Sequence, residues 1–135
     1  MMLYTRKSAR AIVITKDNEL CLIKRTKNGE IYWVAPGGGI EEGETPLEAV
    51  KRELLEETGS VCVGYEKVIE FENMVFFLCY EEYRVKATGQ EYATATDDNK
   101  YEIVNLDINT FKDINFKPEK VKMQVYNVVK PLLRL

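Results

Sequence analysis

The chain reads as an α/β protein: a mixed β-sheet with two main helices, one near residue 50 and one at the C-terminus. Three observations predict this. Short β-branched apolar runs alternate with turn residues between Ala11 and Ala35. A well-capped helical segment lies between Thr45 and Gly59, and the C-terminal segment repeats apolar side chains at helical spacing. With 135 residues, 45% of them hydrophobic, residues 1–135 are expected to form a single domain able to bury roughly two-thirds of its unfolded surface.

In chain order, Ala11 to Ile14 and Leu20 to Ile23 read as strands joined across Lys16-Asp17-Asn18-Glu19. A third strand spans Ile31 to Ala35 and ends at Pro36 and three glycines, a turn that lets the backbone approach a ligand closely. The helix is predicted over Pro46 to Thr58, with Thr45 as N-cap, Pro46 at the first helical position, Glu48 completing a capping box and Gly59 as the stop. Val61 to Phe71 and Met74 to Val85 follow as strands. The nearly unbroken apolar run Met74 to Tyr80 places the second of them centrally in its sheet. Lys86 to Lys100 is a long polar connection, a kind often tied to function. Tyr101 to Leu106 is a further strand. The last helix opens at Pro118, carries the stripe Val121, Val125, Val128 and Leu132, and is kinked or ended by Pro131.

Composition narrows the chemistry. A net charge of −3, from 19 basic and 22 acidic residues, argues against bulk electrostatic attraction to nucleic acid, so no nucleic-acid partner is expected. No apolar run reaches the about 20 residues that span a bilayer, and Met1 to Arg10 has no apolar stretch, so neither a membrane partner nor a signal peptide is expected. Cys21, Cys62 and Cys79 form no CxxC pair and suit a reducing cytoplasm. The chain has no histidine, which removes Ser-His-Asp and Cys-His catalysis, histidine-ligated zinc and histidine acid–base chemistry together. Carboxylates, lysines, tyrosines and hard metal ions remain.

On the predicted helix Glu53, Glu56 and Glu57 fall within one arc, at i, i+3 and i+4, with Cβ atoms roughly 5–6 Å apart. Leu47, Val50 and Leu54 form a separate stripe that faces the core. Three like charges on one arc raise one another's pKa unless a cation joins them, and oxygen-only ligands select Mg²⁺ or Mn²⁺. Taken alone, the same arc reads sooner as a solvated acidic face paired with Lys51 and Arg52 than as a metal site. The turn Pro36-Gly37-Gly38-Gly39 in front of it, and Gly43-Glu44 at the helix entrance, weigh toward a metal site.

The stretch GGIEEGETPLEAVKRELLEETGS, Gly38 to Ser60, resembles the Nudix box GX5EX7REUXEEXGU, in which U is a bulky aliphatic residue. Gly38, Glu44, Arg52, Glu53, Leu54, Glu56, Glu57 and Gly59 fall on their places. Ser60 departs from the aliphatic last position, with Val61 directly after it, a packing variation. The resemblance implies an α/β/α sandwich, its mixed central sheet flanked by the box helix and the C-terminal helix. It also implies hydrolysis of a nucleoside diphosphate linked to a further group. Carried over by position, Glu53 and Glu57 are the principal Mg²⁺ ligands, with Mn²⁺ able to substitute. Glu56 is a further ligand or positions the attacking water, the Gly37 carbonyl is an additional ligand, and Glu44 and Arg52 are structural, Arg52 orienting carboxylates. The catalytic set implied is Glu53, Glu56 and Glu57, joined by a loop acid as in several branches of the family: Asp98, with Asp97 beside it and Glu102 behind both.

Phosphate contacts are expected from Arg25, Arg10 and the Gly38 backbone, with Arg6 and Lys24 as further candidates; Tyr32 and Trp33 could stack on a base or simply pack. Neither a proline at Val75 nor a tyrosine at Phe76, Phe77 or Leu78 is present to mark an ADP-ribose or a diadenosine polyphosphate type. The expected substrate is therefore a nucleoside triphosphate or related small nucleotide, damaged forms included. A homodimer is suggested only by family habit. The rival reading is a non-catalytic Nudix-like module that senses a nucleotide or binds a partner; such modules typically lose box glutamates, and all three are kept here. A P-loop fails for want of Gly-Lys-Ser/Thr, and a calcium loop for want of alternating acids.

Overall fold

The computed structural model describes residues 6–86 and 98–133. Its strands are β1 (Ser8–Ile14), β2 (Leu20–Lys27), β3 (Glu30–Val34), β4 (Gly37–Gly39), β5 (Ser60–Phe71), β6 (Met74–Arg84) and β7 (Asn99–Leu106); its α-helices are α1 (Pro46–Thr58), α2 (Ile108–Phe111) and α3 (Lys122–Val129). The sheet is mixed. β1 runs parallel to β6 from Ser8↔Met74 to Ile14↔Tyr80, and the other pairings are antiparallel.

The sheet forks, and the fork positions the site. β1 pairs with β2 only at Val13↔Cys21 and Ile14↔Leu20. Beyond those residues β1 takes up β4, through Ser8, Ala9 and Arg10, while the same edge of β2 takes up β3 from Ile23 onward. β7 lines the other edge of β2 along its whole length. Arg10 on β1 and Arg25 on β2 therefore stand on diverging strands, with a gap between them.

Each face of the sheet buries a core. On one face Ile12, Leu22, Phe76 and Leu78 pack with Ile108, Phe111, Phe116, Val121, Val125 and Val129 of the C-terminal segment. Phe111 and Phe116 meet edge to face at 5.2 Å, a contact worth about 0.5–1.5 kcal/mol beyond area burial. On the other face Ala9, Ala11, Val13, Phe77 and Cys79 pack with Ala49, Val50 and Leu54 of α1. β6 sends side chains into both cores, as its unbroken apolar run requires. The arrangement is the expected sandwich.

Helix α1 begins and ends where its caps place it. The Thr45 hydroxyl accepts from the Glu48 N–H at 3.1 Å, Glu48 accepts from the Thr45 N–H at 2.8 Å, and Gly59 closes the helix at φ 72°. Other boundaries differ from expectation. Gly37–Gly39, expected as a turn, is a short strand paired with β1; a Cβ at Gly37 would meet the β1 backbone, and one at Gly38 or Gly39 the side chain of Glu53 or Arg6. β1 starts earlier, β2 runs further, and β7 starts at Asn99; their polar ends break the apolar pattern but find ladder partners. α2, capped by Asp107, is too short to leave a periodic trace. At the C-terminus Val121, Val125 and Val129 are buried, whereas Leu132 is 43% exposed. α3 ends at Val129, and a 3₁₀ turn over Lys130–Leu132, entered at Pro131, swings Leu132 off the stripe. Among the described residues no helix is long and apolar enough to cross a membrane.

Candidate active site

The register of α1 decides where its acids emerge. Ala49, Val50 and Leu54 are fully buried against the sheet, so Glu53 and Glu57 leave the helix at the edge of that contact, beside β4. Glu57 is 8% exposed, and its Oε1 accepts the Gly37 N–H at 2.8 Å. The Glu53 carboxyl lies against Gly38, where a Cβ would sit 2.7 Å from its Cδ. The two carboxylates thus rest on adjacent residues of one strand. Gly37 itself lies across from Arg10, at φ 150°, and a Cβ there would overlap the Ala9 carbonyl.

Arg52 organises the remaining box acids. Its Nε and Nη2 bind the two oxygens of Glu44 at 2.7 and 3.0 Å, a bidentate pair. Nη2 also donates to the Gly39 carbonyl at 3.2 Å, and Nη1 to Glu53 at 2.9 Å and Glu56 at 3.4 Å. One guanidinium therefore ties the helix entrance, β4 and two acids of the arc together, the structural role the resemblance implied. The Arg52 hydrogen bonds, with the Glu41 N–H, hold the Glu44 carboxyl down at about 2, and the bond to Glu44 raises Arg52 in turn.

The three glutamates do not converge. Glu57 takes its donor from β4, the Gly37 N–H, while Glu53 and the 43% exposed Glu56 side chain both accept from Arg52 Nη1; among the described residues no three acids or thiols are grouped for a metal ion. Like charges on one arc repel, and each carboxylate is drawn to the nearest donor.

At the fork a polar cavity of about 240 Å³ is lined by Arg10, Ile23, Arg25, Tyr32, Val34, Gly37, Glu57 and Tyr101. Arg10, Arg25, Gly37 and Glu57, anticipated from sequence, thus meet in one place. Arg10 donates to the Ala35 carbonyl at 3.1 Å; burial lowers its pKa, against the opposing fields of Glu57 and Glu53. Arg25 is 7% exposed, and its guanidinium carbon lies 3.5 Å from the centroid of the Tyr101 ring. A neighbouring cavity of about 470 Å³ shares Arg10 and Val34 and is walled mainly by Ala35, Met74, Phe76 and Pro118, with Asn115, Lys117 and Glu119 at its polar side.

Other candidates lie elsewhere. Asp98 is an exposed turn residue whose carbonyl accepts the Asn28 N–H at 2.9 Å, and it does not line the cavity. Asp97 falls outside the described residues. Glu102 pairs with Lys24, one position along from the Arg25–Tyr101 pair and so on the opposite face. The Lys24 ammonium sits 5.8 Å over the Trp33 ring, and Trp33 packs against the core. Arg6 lies exposed against Gly39 and donates to the Ile40 carbonyl at 3.4 Å. Sequence reasoning missed Tyr101: its relation to Arg25 is a pairing between strands far apart in the chain, with no local signal.

The NUDIX domain profile matches residues 5–124. This chain belongs to the NUDIX family. Proteins named RNA pyrophosphohydrolase from Pelagibacter ubique and Sulfurovum are 42% and 39% identical over 53 and 105 residues, and the chain spans only 34% and 63% of their lengths. One of the same name from Helicobacter pylori is 33% identical over 145 aligned positions, covering 92% of this chain and 90% of that relative. A MutT structure from work on Aliivibrio salmonicida and Vibrio cholerae superposes with a TM-score of 0.64 over 91% of this chain and 98% of that one, at 21% identity. The one departure from the Nudix box also has a structural reason here. Ser60 is buried, and its hydroxyl donates at 3.0 Å to Glu81, which also accepts from Arg84, so a polar residue is satisfied where an aliphatic would only pack.

Proposed function

We propose that this Nudix hydrolase, acting as one domain, cleaves a phosphoanhydride bond in a nucleoside triphosphate or related small nucleotide by attack of water on phosphorus, with Mg²⁺ as cofactor and Mn²⁺ able to replace it. The observation that carries this reading is the seating of Glu57 and Glu53 on adjacent glycines, beside a cavity that also holds Arg10 and Arg25. The donor set fits a hard divalent ion: the box offers only oxygen, from Glu53 and Glu57 first, then Glu56 and the Gly37 carbonyl. Bound there, such an ion makes water more acidic and neutralises charge on phosphate oxygens.

The chain's own groups do the rest. Arg10 and Arg25 offer cationic donors to the phosphates from the two diverging strands, with the Gly38 backbone beside them. The Gly37 N–H holds Glu57 in place, and Arg52 does the same for Glu53 and Glu56. Glu56, being more exposed, is free to receive a proton from water. The apolar walls of the adjoining cavity suit a nucleoside, so a nucleotide would lie across Arg10 with its phosphates toward Glu57. A second reading is favoured by the names of the relatives: the anhydride could be carried on the end of an RNA. With a net charge of −3, such an end would be held locally and not by a broad basic surface.

One experiment separates these readings. Nucleoside triphosphates, dinucleotides and a short RNA with a 5′-triphosphate are incubated with Mg²⁺ or Mn²⁺, and phosphate and pyrophosphate are read separately. Glu57→Gln keeps an acceptor for the Gly37 N–H and should keep the fold, but turnover should fall at least about a hundredfold; unchanged turnover sinks the assignment. Binding without cleavage across the panel returns the sensing module. Asp98→Asn, lying outside the cavity, should keep turnover within about twofold of the parent, and a larger fall restores Asp98 to the catalytic set.

A further inference from the structure

Arg25 stands at the centre of a row. In the sheet register it faces Tyr32 on β3 and Tyr101 on β7, so three side chains lie together on one face of three adjacent strands. Arg25 is buried, it makes no ion pair among the described residues, and its Nη1 has no hydrogen-bond partner. A buried cation without a carboxylate is costly unless something replaces its hydration. The Tyr101 ring, 3.5 Å away, covers one face of the guanidinium and leaves its edge for hydrogen bonds. Tyr32 is engaged otherwise, since the Lys117 ammonium sits 4.4 Å over its ring and pairs with Glu30 at 3.0 Å. Tyr101 is thus the aromatic partner of Arg25.

We propose that Tyr101 is a positioning residue: its ring holds the Arg25 guanidinium flat, so that the guanidinium edge meets a phosphate of the nucleotide bound beside Glu57. This rests on the reading that the cavity takes phosphates, and it deepens that reading by one residue. The ring is what matters, not the hydroxyl. A flat guanidinium is needed as well, because an ammonium would neither stack nor present an edge.

The test combines kinetics on the nucleoside triphosphate cleaved best with calorimetric binding of inorganic tripolyphosphate in Mg²⁺, which needs no turnover. Tyr101→Leu should raise both KM and the tripolyphosphate Kd about 3- to 30-fold, the range of a desolvated cation–π contact, with kcat within about threefold. Tyr101→Phe should recover most of the loss, and Arg25→Lys should resemble Tyr101→Leu. In an Arg25→Ala background, adding Tyr101→Leu should cost nothing more. The proposal is overturned if Tyr101→Phe is as damaging as Tyr101→Leu, if the leucine effect is undiminished without Arg25, or if kcat falls with KM unchanged. Should Tyr101→Leu melt early, the tyrosine-to-phenylalanine comparison and Arg25→Lys still decide. A parent that binds tripolyphosphate yet cleaves no nucleotide defeats the hydrolase reading and leaves the binding series to judge Tyr101. A parent that does not bind tripolyphosphate defeats the proposal itself.

Discussion

A methyl group on Gly37 would run into backbone, whereas one on Gly38 would run into the end of a side chain. The two alanine variants should therefore fail differently. Gly37→Ala must part β1 from β4 and force a side-chain-bearing residue to φ 150°, so thermal melting should show a loss of about 1–3 kcal/mol. Gly38→Ala displaces only the flexible Glu53 carboxyl, so turnover should fall while the melting temperature stays near that of the parent. Equal destabilisation in both would refute this account of β4. The need for Gly38 was legible, since it opens the box pattern. The closer constraint on Gly37 was not, because it comes from Ala9 and Arg10 on a strand that no local pattern ties to the glycines. Arg10 and Arg25 were legible as cations on early strands, and only the fork shows that they share a cavity, while Lys24 and Arg6 do not line it.

Helix α1 is the element most completely written in local sequence. Thr45, Pro46, Glu48 and Gly59 act on residues three or four positions away, so its limits and its buried stripe followed without tertiary information. Its entrance also carries a pH signature. Glu44 has its pKa lowered from 4.5 to about 2 by Arg52 and the Glu41 N–H. A carboxyl depressed in the folded state adds stability that is fully present above the unfolded value and lost as pH falls through the folded one. Acid unfolding of the parent should therefore steepen between pH 4.5 and about 2. Glu44→Gln should flatten that window when denaturant midpoints are compared across it, and an unchanged slope would show that Arg52 does not hold Glu44 in solution. β4 and β7 are the opposite case. Three glycines have no side-chain pattern, and the polar start of β7 reads as loop until β2 supplies its hydrogen bonds.

For the whole molecule, a ligand that binds only the folded state stabilises it by mass action. Free Mg²⁺ at about 100 times its Kd should add about 2.7 kcal/mol, seen as a rise in melting temperature that EDTA reverses. The rise should vanish in a Glu53→Gln/Glu57→Gln variant; if it persists there, the ion binds elsewhere. Sequence by itself determined the α/β class, the position and register of α1, the two-faced burial of β6 and the identity of the box acids. All of these depend on short-range periodicity, capping and spacing, which a single chain displays directly. Tertiary structure alone decided that β1 and β2 part after Val13↔Cys21, that Arg10, Arg25 and Glu57 meet in the gap, and that Tyr101 lies beneath Arg25. Those facts depend on which distant strands pair and where pairing stops, a balance of ladder hydrogen bonds and core packing over the whole sheet. The glutamates were visible in the chain; the cavity that Glu57 lines exists only once the sheet has forked.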